Sequence, residues 1–489
     1  MPYFNSGFFV KFLQLFILFF ILNFTLNAEP WINTGDLYVK NDIQLLADNN
    51  LLKIPVNHWP LNWSDVAQDL TQINPVNLPQ NLLMSYQRVM FYFNQAKQKH
   101  QPTKIRIAIA NKTPKFQYFG SKQREKIELS TASNFIQGNF SANIAIQQVQ
   151  SPRDGKTFRL DNSYIAYKLG NWNIVGGAVP MWWGPGLDSA LLMSNNARPV
   201  LGVGINRQNA LAFENKWLRW IGPWSFTSFW GELSKNRAIP NTKLWSSRLS
   251  FRPINSLEVG FSRSTMWAGK NRPSGVSDFL KIVIPNESAN DDSRSLENVN
   301  DLASFDLRWH GQFLNHPISV NYQMGFEDYA SIIPSKRSYL LGFDTDIFDE
   351  NSFYKLFIEA SATYLNTCEC IYEHHIYKSG YTYRDQIIGS TFGKNAQTIS
   401  VGIIAQPNND TYWQSRFSYI EQNLDNKHAT FNELNSDNYA EIYQLYSSYR
   451  FVLLDSRWEL GLTIRNSKNT LKSTNDAEIS LSWEYKIGK

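Results

Sequence analysis

From about residue 104 to its end the chain alternates apolar and polar residues with a period of two. Phe140, Ala142, Ile144 and Ile146 alternate with Ser141, Asn143, Ala145 and Gln147. Ile318, Val320, Tyr322, Met324 and Phe326 alternate with Ser319, Asn321, Gln323, Gly325 and Glu327. Ile399, Val401, Ile403 and Ala405 form another such run, as do Trp458, Leu460, Leu462 and Ile464. The last is Ile479, Leu481, Trp483, Tyr485 and Ile487. Strands of this kind put one face in an apolar medium and the other in water. Trp458 stands at a run end, where interfacial aromatics belong, and Trp483 with Tyr485 adds aromatics to the last run. A soluble all-β protein shows the same alternation, but a single soluble sheet rarely exceeds about ten strands without splitting into layers. At about ten residues per membrane strand plus turns, this region has room for roughly 18 strands. Composition agrees: charged residues make up 18% of the 489, aromatic residues 15%, and mean hydropathy is -0.36. A bundle of apolar helices would not average negative, and a disordered chain would lack the aromatics.

The region before the alternation differs. Residues 1–28 carry one charge, Lys11, ahead of an apolar stretch, which reads as a secretory signal peptide cut after Ala28. Residues 29–102 have helical period. Asp36 to Asn50 places Leu37, Ile43, Leu46 and Ala47 on one side, with Asp36 as N-cap. Ser64 opens a short second helix. Pro79 to Lys99 spaces Leu82, Leu83, Tyr86, Val89, Met90 and Phe93 by three and four residues. The expected fold is therefore mainly β. A large transmembrane antiparallel β-barrel spans 103–489, and a small α-helical bundle at 29–102 plugs one end. Polar inserts near 285–300 and 421–439 read as long external loops.

Little points to covalent chemistry. Net charge is +5, too weak for a nucleic-acid footprint. There is no nucleophile elbow, P-loop or zinc-protease helix. Cys368, Cys370, His374 and His375 form the one metal-like cluster, but their spacing departs from the usual gap between paired ligands. No catalytic residue, cofactor or metal is expected. Val179-Pro180-Met181-Trp182-Trp183-Gly184-Pro185-Gly186 is more distinctive. Gly-Pro-Gly after two tryptophans excludes a regular central strand. With Arg198 and Arg207 nearby, two readings stand. In one, flat rings and planar donors hold sugar. In the other, the loop folds into the lumen and packs on its own tryptophans.

Three blocks of sequence carry a resemblance. The first is Gly35-Asp36-Leu37, then Asp42 to Asp48, Pro55-Val56 and Trp59-Pro60-Leu61-Asn62-Trp63. The second is Trp182-Trp183-Gly184-Pro185-Gly186 with Asn196-Ala197-Arg198-Pro199. The third is Tyr372 to Arg384, trailing into Ile388-Gly389. In this order they resemble the capsule assembly Wzi family. The resemblance implies an outer-membrane barrel with a helical bundle closing its periplasmic end. It implies a lectin that binds and retains capsular polysaccharide at the cell surface, not an enzyme. Met181 stands where a charged residue often precedes the Trp pair. Thr382 and Asp385 interrupt a stretch that is often richer in Arg. Candidate polysaccharide contacts are Trp182, Trp183, Arg198, Arg207, Tyr381, Tyr383 and Arg384, with Glu359 a lumen-facing addition. Expected partners are capsular polysaccharide, outer-membrane lipid and lipopolysaccharide, and the barrel-assembly machinery during biogenesis. The chain is expected to be a monomer and to bind no nucleic acid. The competing function is a passive outer-membrane porin or solute channel, which needs an open lumen.

Overall fold

The computed structural model describes residues 28–99, 101–283, 299–314, 316–327, 336–349, 352–364, 371–408, 410–425, 439–469 and 472–488. The expected signal peptide, Cys368 with Cys370, and most of the two polar inserts lie outside the described residues. Eighteen antiparallel strands close into a barrel. They are β1 (Thr103–Ala110), β2 (Ile127–Gln137), β3 (Phe140–Gln150), β4 (Tyr164–Leu169), β5 (Trp172–Gly177), β6 (Gly202–Arg207), β7 (Trp224–Glu232), β8 (Lys243–Ile254) and β9 (Leu257–Trp267). Then come β10 (Asn300–Phe313), β11 (His316–Glu327), β12 (Lys336–Asp349), β13 (Ser352–Ala362), β14 (Gln397–Gln406), β15 (Tyr412–Gln422), β16 (Ala440–Leu453), β17 (Ser456–Asn469) and β18 (Ser473–Ile487). β18 pairs back onto β1, from Ser480 opposite Ala110 to Ile487 opposite Thr103. Closure gives every one of these strands a paired neighbour on both sides, as a hydrocarbon medium requires. No helix among the described residues is long and apolar enough to cross a membrane.

The alternation sorts by face, and inversely to a soluble sandwich. On β3, Ile144 and Ile146 are exposed while Ser141, Asn143 and Ala145 are buried. On β14, Ile399 and Val401 are exposed and Ser400 is buried. Apolar side chains therefore face outward, and small or polar ones face the lumen.

The lumen is filled from both ends. At the end carrying Thr103 and Ile487 sits a helical unit: α1 (Leu37–Asp48), α2 (Trp63–Leu70) and α3 (Gln80–Ala96). The Asp36 carboxylate caps α1, accepting from the Tyr38 N–H at 3.1 Å. α2 starts at Trp63, one residue before Ser64. The preceding Asn62 makes no side-chain cap bond; its amide donates to the Arg207 carbonyl at 2.7 Å instead. α3 ends at Ala96, short of Lys99. α1 is buried nearly all round, including Lys40, Asn41, Asp42 and Gln44. One-sided amphipathicity did not anticipate this, because the lumen surrounds the helix. Two of its charged groups find partners there: Lys40 Nζ donates to the Gly186 carbonyl at 3.2 Å, and Asp42 accepts from Arg88 Nε at 2.9 Å and Ser85 Oγ at 2.8 Å.

Segments 111–126, 178–201 and 371–396 enter from the opposite end. One apolar core joins the first two to the helical unit and wall. It includes Ile43, Leu46 and Trp63 of the unit, Phe119, Trp182 and Leu187 of the loops, and Phe357, Ile404 and Tyr412 of the wall.

Candidate functional site

The Trp182–Trp183 pair lies inside the molecule. It forms a short antiparallel pairing with His58–Trp59 of the helical unit, Trp182 opposite Trp59 and Trp183 opposite His58. The two rings are 0% and 1% exposed. Trp182 stands edge-on to Phe119 at 5.5 Å and donates Nε1 to the Gly186 carbonyl at 3.0 Å. The turn closes so tightly that a Cβ on Gly186 would collide with the Ser189 carbonyl. Of the two readings of this motif, the in-folded one describes the structure. Neither ring offers a face to a ligand: Trp182 packs in the core shared with the helical unit, and Trp183 packs in a second core with Leu192, Met193 and Tyr381.

Glu359 faces the lumen as expected, yet its carboxylate is taken. It accepts from the backbone N–H groups of Leu187 at 2.8 Å, Asp188 at 3.1 Å and Ser189 at 3.0 Å. It positions the in-folded segment and is not open to a ligand. Tyr381 is likewise buried: its hydroxyl donates to Ser264 Oγ at 2.7 Å or the Leu192 carbonyl at 3.1 Å. Burial pushes that phenol above its ordinary range, so it stays a neutral donor. Arg207 lies at the wrong end. β6 separates it from the 178–201 segment by about 17 Å of strand. It stacks 3.7 Å over the Trp224 ring and donates to the Leu211 carbonyl at 3.1 Å.

Arg198, Tyr383 and Arg384 do come together, around a residue the sequence reading missed. Asp154, in the loop after β3, is shared by three arginines. It accepts from Arg159 at 3.1 Å, pairs with Arg198, and lies 3.7 Å from Arg384. Arg198 also forms a bidentate pair with Asp161, both bonds 2.7 Å. Burial works against the charge on Asp154, but Arg198 and Arg159 outweigh it and hold its carboxyl below the usual range. The Arg384 guanidinium is 5.3 Å from the Tyr383 ring centre. The sequence around Asp154, Pro152-Arg153-Asp154-Gly155, signalled only a turn.

Arg384 and Asp385 form the two-residue tip of a hairpin in which Thr382–Tyr383 pairs with Gln386–Ile387. Both tip residues have positive φ, 49° and 64°. Such turns favour Asn-Gly, and other residues there cost about 1 kcal/mol or more each. The hairpin is held from below: Arg237 donates to the carbonyls of Gly380 at 3.0 Å and Thr382 at 2.8 Å, and Asn196 donates to that of Ile387 at 3.0 Å. Of the candidate contacts drawn from the sequence, Arg198 and Arg384 keep part of their surface in solvent at this end. Tyr383 is buried beneath them. The arrangement presents planar donors and a carboxylate, suited to hydroxyls and carboxylates of a polar ligand.

His374 accepts from the N–H groups of Ile376 and Tyr377, each at 3.2 Å, through Nδ1, and its ring packs on His375 at 4.4 Å. It therefore closes a turn.

Comparison with known proteins adds context. Residues 96–479 match the family model described as capsule assembly protein Wzi. A Klebsiella pneumoniae protein described as an uncharacterized 55.8 kDa protein in a cps region is 29% identical over 322 residues. That match covers 64% of this chain and 61% of the relative, less than two thirds of its length. The structure of Escherichia coli Wzi superposes with a TM-score of 0.81 at 24% identity, covering 94% of this chain and 99% of that one. That protein is described as an outer-membrane, carbohydrate-binding β-barrel involved in group 1 capsule assembly.

Proposed function

Because the chain belongs to the capsule assembly protein Wzi family, we propose that it is an outer-membrane barrel that binds capsular polysaccharide and retains it at the cell surface. The end with Thr103 and Ile487 faces the periplasm, stoppered by the helical unit. The in-folded loops face outward. The observation that carries the reading is the outward hairpin tip, Arg384-Asp385, held in left-handed backbone beside Asp154 and Arg198. A strained polar tip braced from below is the kind of feature that binding sites retain. Arg198, Arg384 and Asp385 contact the glycan. Trp182, Trp183, Tyr381 and Glu359 position the loops that carry them. Many weak contacts along a repeating polymer give retention by avidity, with no covalent step.

The test is binding of the source strain's purified capsular polymer to the full chain in detergent. Wild type binds, and Arg384→Ala weakens binding severalfold while the barrel stays folded by heat-shifted gel mobility. A folded wild-type protein that ignores the polymer overturns the reading. The filled lumen also predicts no large, steady open conductance in planar bilayers. Such a conductance would favour the porin reading.

A further inference from the structure

A cavity of about 340 Å³ lies inside the barrel, between the helical unit, the β1–β3 wall and the in-folded 178–201 segment. Its size falls within the range of small-molecule sites. At the periplasm-facing end it is lined by Lys104, which is exposed. At its other end it reaches Asp161, the partner of Arg198, so it ends directly beneath the hairpin-tip cluster.

The lining is chemically mixed. Five acidic and six basic side chains contribute, together with Trp63 and Tyr92. Many of the charges already neutralise one another: Arg106 with Glu128 at 3.4 Å, Lys122 with Glu484 at 3.4 Å, Arg457 with both Glu484 and Asp36. A free anion would meet the carboxylates, and an apolar ligand would strip water from the ion pairs. Two acceptors stand out. The side-chain oxygens of Asn143 and Asn162 are buried, line the cavity and have no hydrogen-bond partner. Asn143 is only 4% exposed, and its amide nitrogen is fixed by the Asn162 carbonyl at 2.7 Å. That bond orients the orphaned oxygen. A buried amide oxygen with no partner is costly unless something donates to it. Unfilled acceptors, planar donors and two aromatic rings in one chamber suit a molecule that carries many hydroxyls and little net charge.

We infer that this chamber is a second carbohydrate site, taking a neutral, hydroxyl-rich saccharide of one or two sugar residues whose hydroxyls donate to Asn143 and Asn162. The inference rests on the carbohydrate reading above and adds a site that the rim cluster does not require. Asp161 connects the two: it braces Arg198 at the rim and forms the chamber's inner wall.

The experiment titrates the full chain in detergent with two probes. One is the intact capsular polymer of the source strain. The other is the one- and two-residue fragments released from it by partial acid hydrolysis. Binding is followed by calorimetry and by saturation transfer from protein to sugar protons. The expected result is that wild type binds the fragments and Asn143→Ala weakens them at least tenfold. Asn143→Gln, which keeps both the amide donor and the acceptor, recovers most of the affinity. Ala145→Trp, which fills the chamber from the β3 wall, removes fragment binding. Heat-shifted gel mobility confirms that each variant is folded; if Ala145→Trp does not fold, the Asn143 pair decides. Fragments that bind all folded variants equally, or that are lost only in Arg384→Ala, overturn the inference. Polymer bound without any fragment binding means the chamber holds water only, and the inference fails while the rim reading stands. Neither probe binding wild type overturns both.

Discussion

The helical unit and the 178–201 segment both lie inside the barrel, yet the wall holds them by different means. The unit closes its own backbone hydrogen bonds within α1, α2 and α3. Besides the apolar core it shares with the wall, it is held there by charge: Asp36 with Arg450 at 3.2 Å, Asp48 with Arg308 at 2.7 Å, and Arg252 donating to the Ala47 carbonyl at 2.7 Å. The 178–201 segment has almost no regular structure, and wall side chains satisfy its backbone instead. Glu359 takes three of its N–H groups. Gln323 accepts from the Leu191 N–H at 3.0 Å and donates to the Trp183 carbonyl at 3.0 Å. Irregular backbone at membrane depth survives only where protein satisfies it. The helical unit is thus a body docked in the lumen, whereas the inner segment is folded by the wall.

That difference can be broken from the segment's side first. Trp182 joins the two fillings, so Trp182→Ala carries the largest expected effect, about 3–5 kcal/mol for a buried aromatic. The temperature at which heat-shifted gel mobility is lost reports it; an unchanged transition would show that the junction bears no load. Next comes Glu359→Gln. It turns one of two acceptor oxygens into an NH2 group facing backbone N–H donors, for about 1–3 kcal/mol. Limited proteolysis then cuts near 185–190 while α1 stays protected. Equal loosening of both would erase the distinction drawn here.

The helical unit is probed by pH. Asp36 is half-buried, and Arg450, Arg457 and Lys122 outweigh desolvation and hold its carboxyl below the usual 3.8. Its contribution is present above that pH and lost as pH falls below it, where the unfolded chain takes up the proton first. Asp65 runs the other way: burial, opposed by the Ala210 N–H and Asn62, pushes it up to about 8. Between 3.8 and about 8 the folded chain keeps a proton that the unfolded chain has released, so stability falls as pH rises through that window. Asp65→Asn should flatten this slope in thermal melts taken from pH 5 to pH 8. A slope that persists would place its origin elsewhere.

The outer wall was legible because lipid imposes one rule on every strand. Ile144 and Ser141 could be assigned to opposite faces without knowing any neighbour. Glu359 was legible for the same reason, since an acid inside the run Leu356, Phe357, Ile358, Ala360 has only the lumen to face. The lumen's contents were not. Trp182 meets Trp59, 123 residues earlier in the sequence, and no local pattern encodes that meeting. Arg198 and Arg207 are close in sequence, yet β6 carries them to opposite ends of the barrel. Asp154 became the centre of the candidate site through Arg198 and Arg384, which come from distant segments, while its own neighbourhood advertised only a turn.

The central claim is retention of polymer at the surface, and the direct measurement is where the polymer goes. In a strain of the source organism lacking this chain, capsular polysaccharide is assayed separately in washed cells and in medium. The account predicts unchanged total polymer with most of it shed into the medium, restored to the cells by wild type and only partly by Arg384→Ala. An unchanged cell-bound fraction in the deletion strain would contradict it.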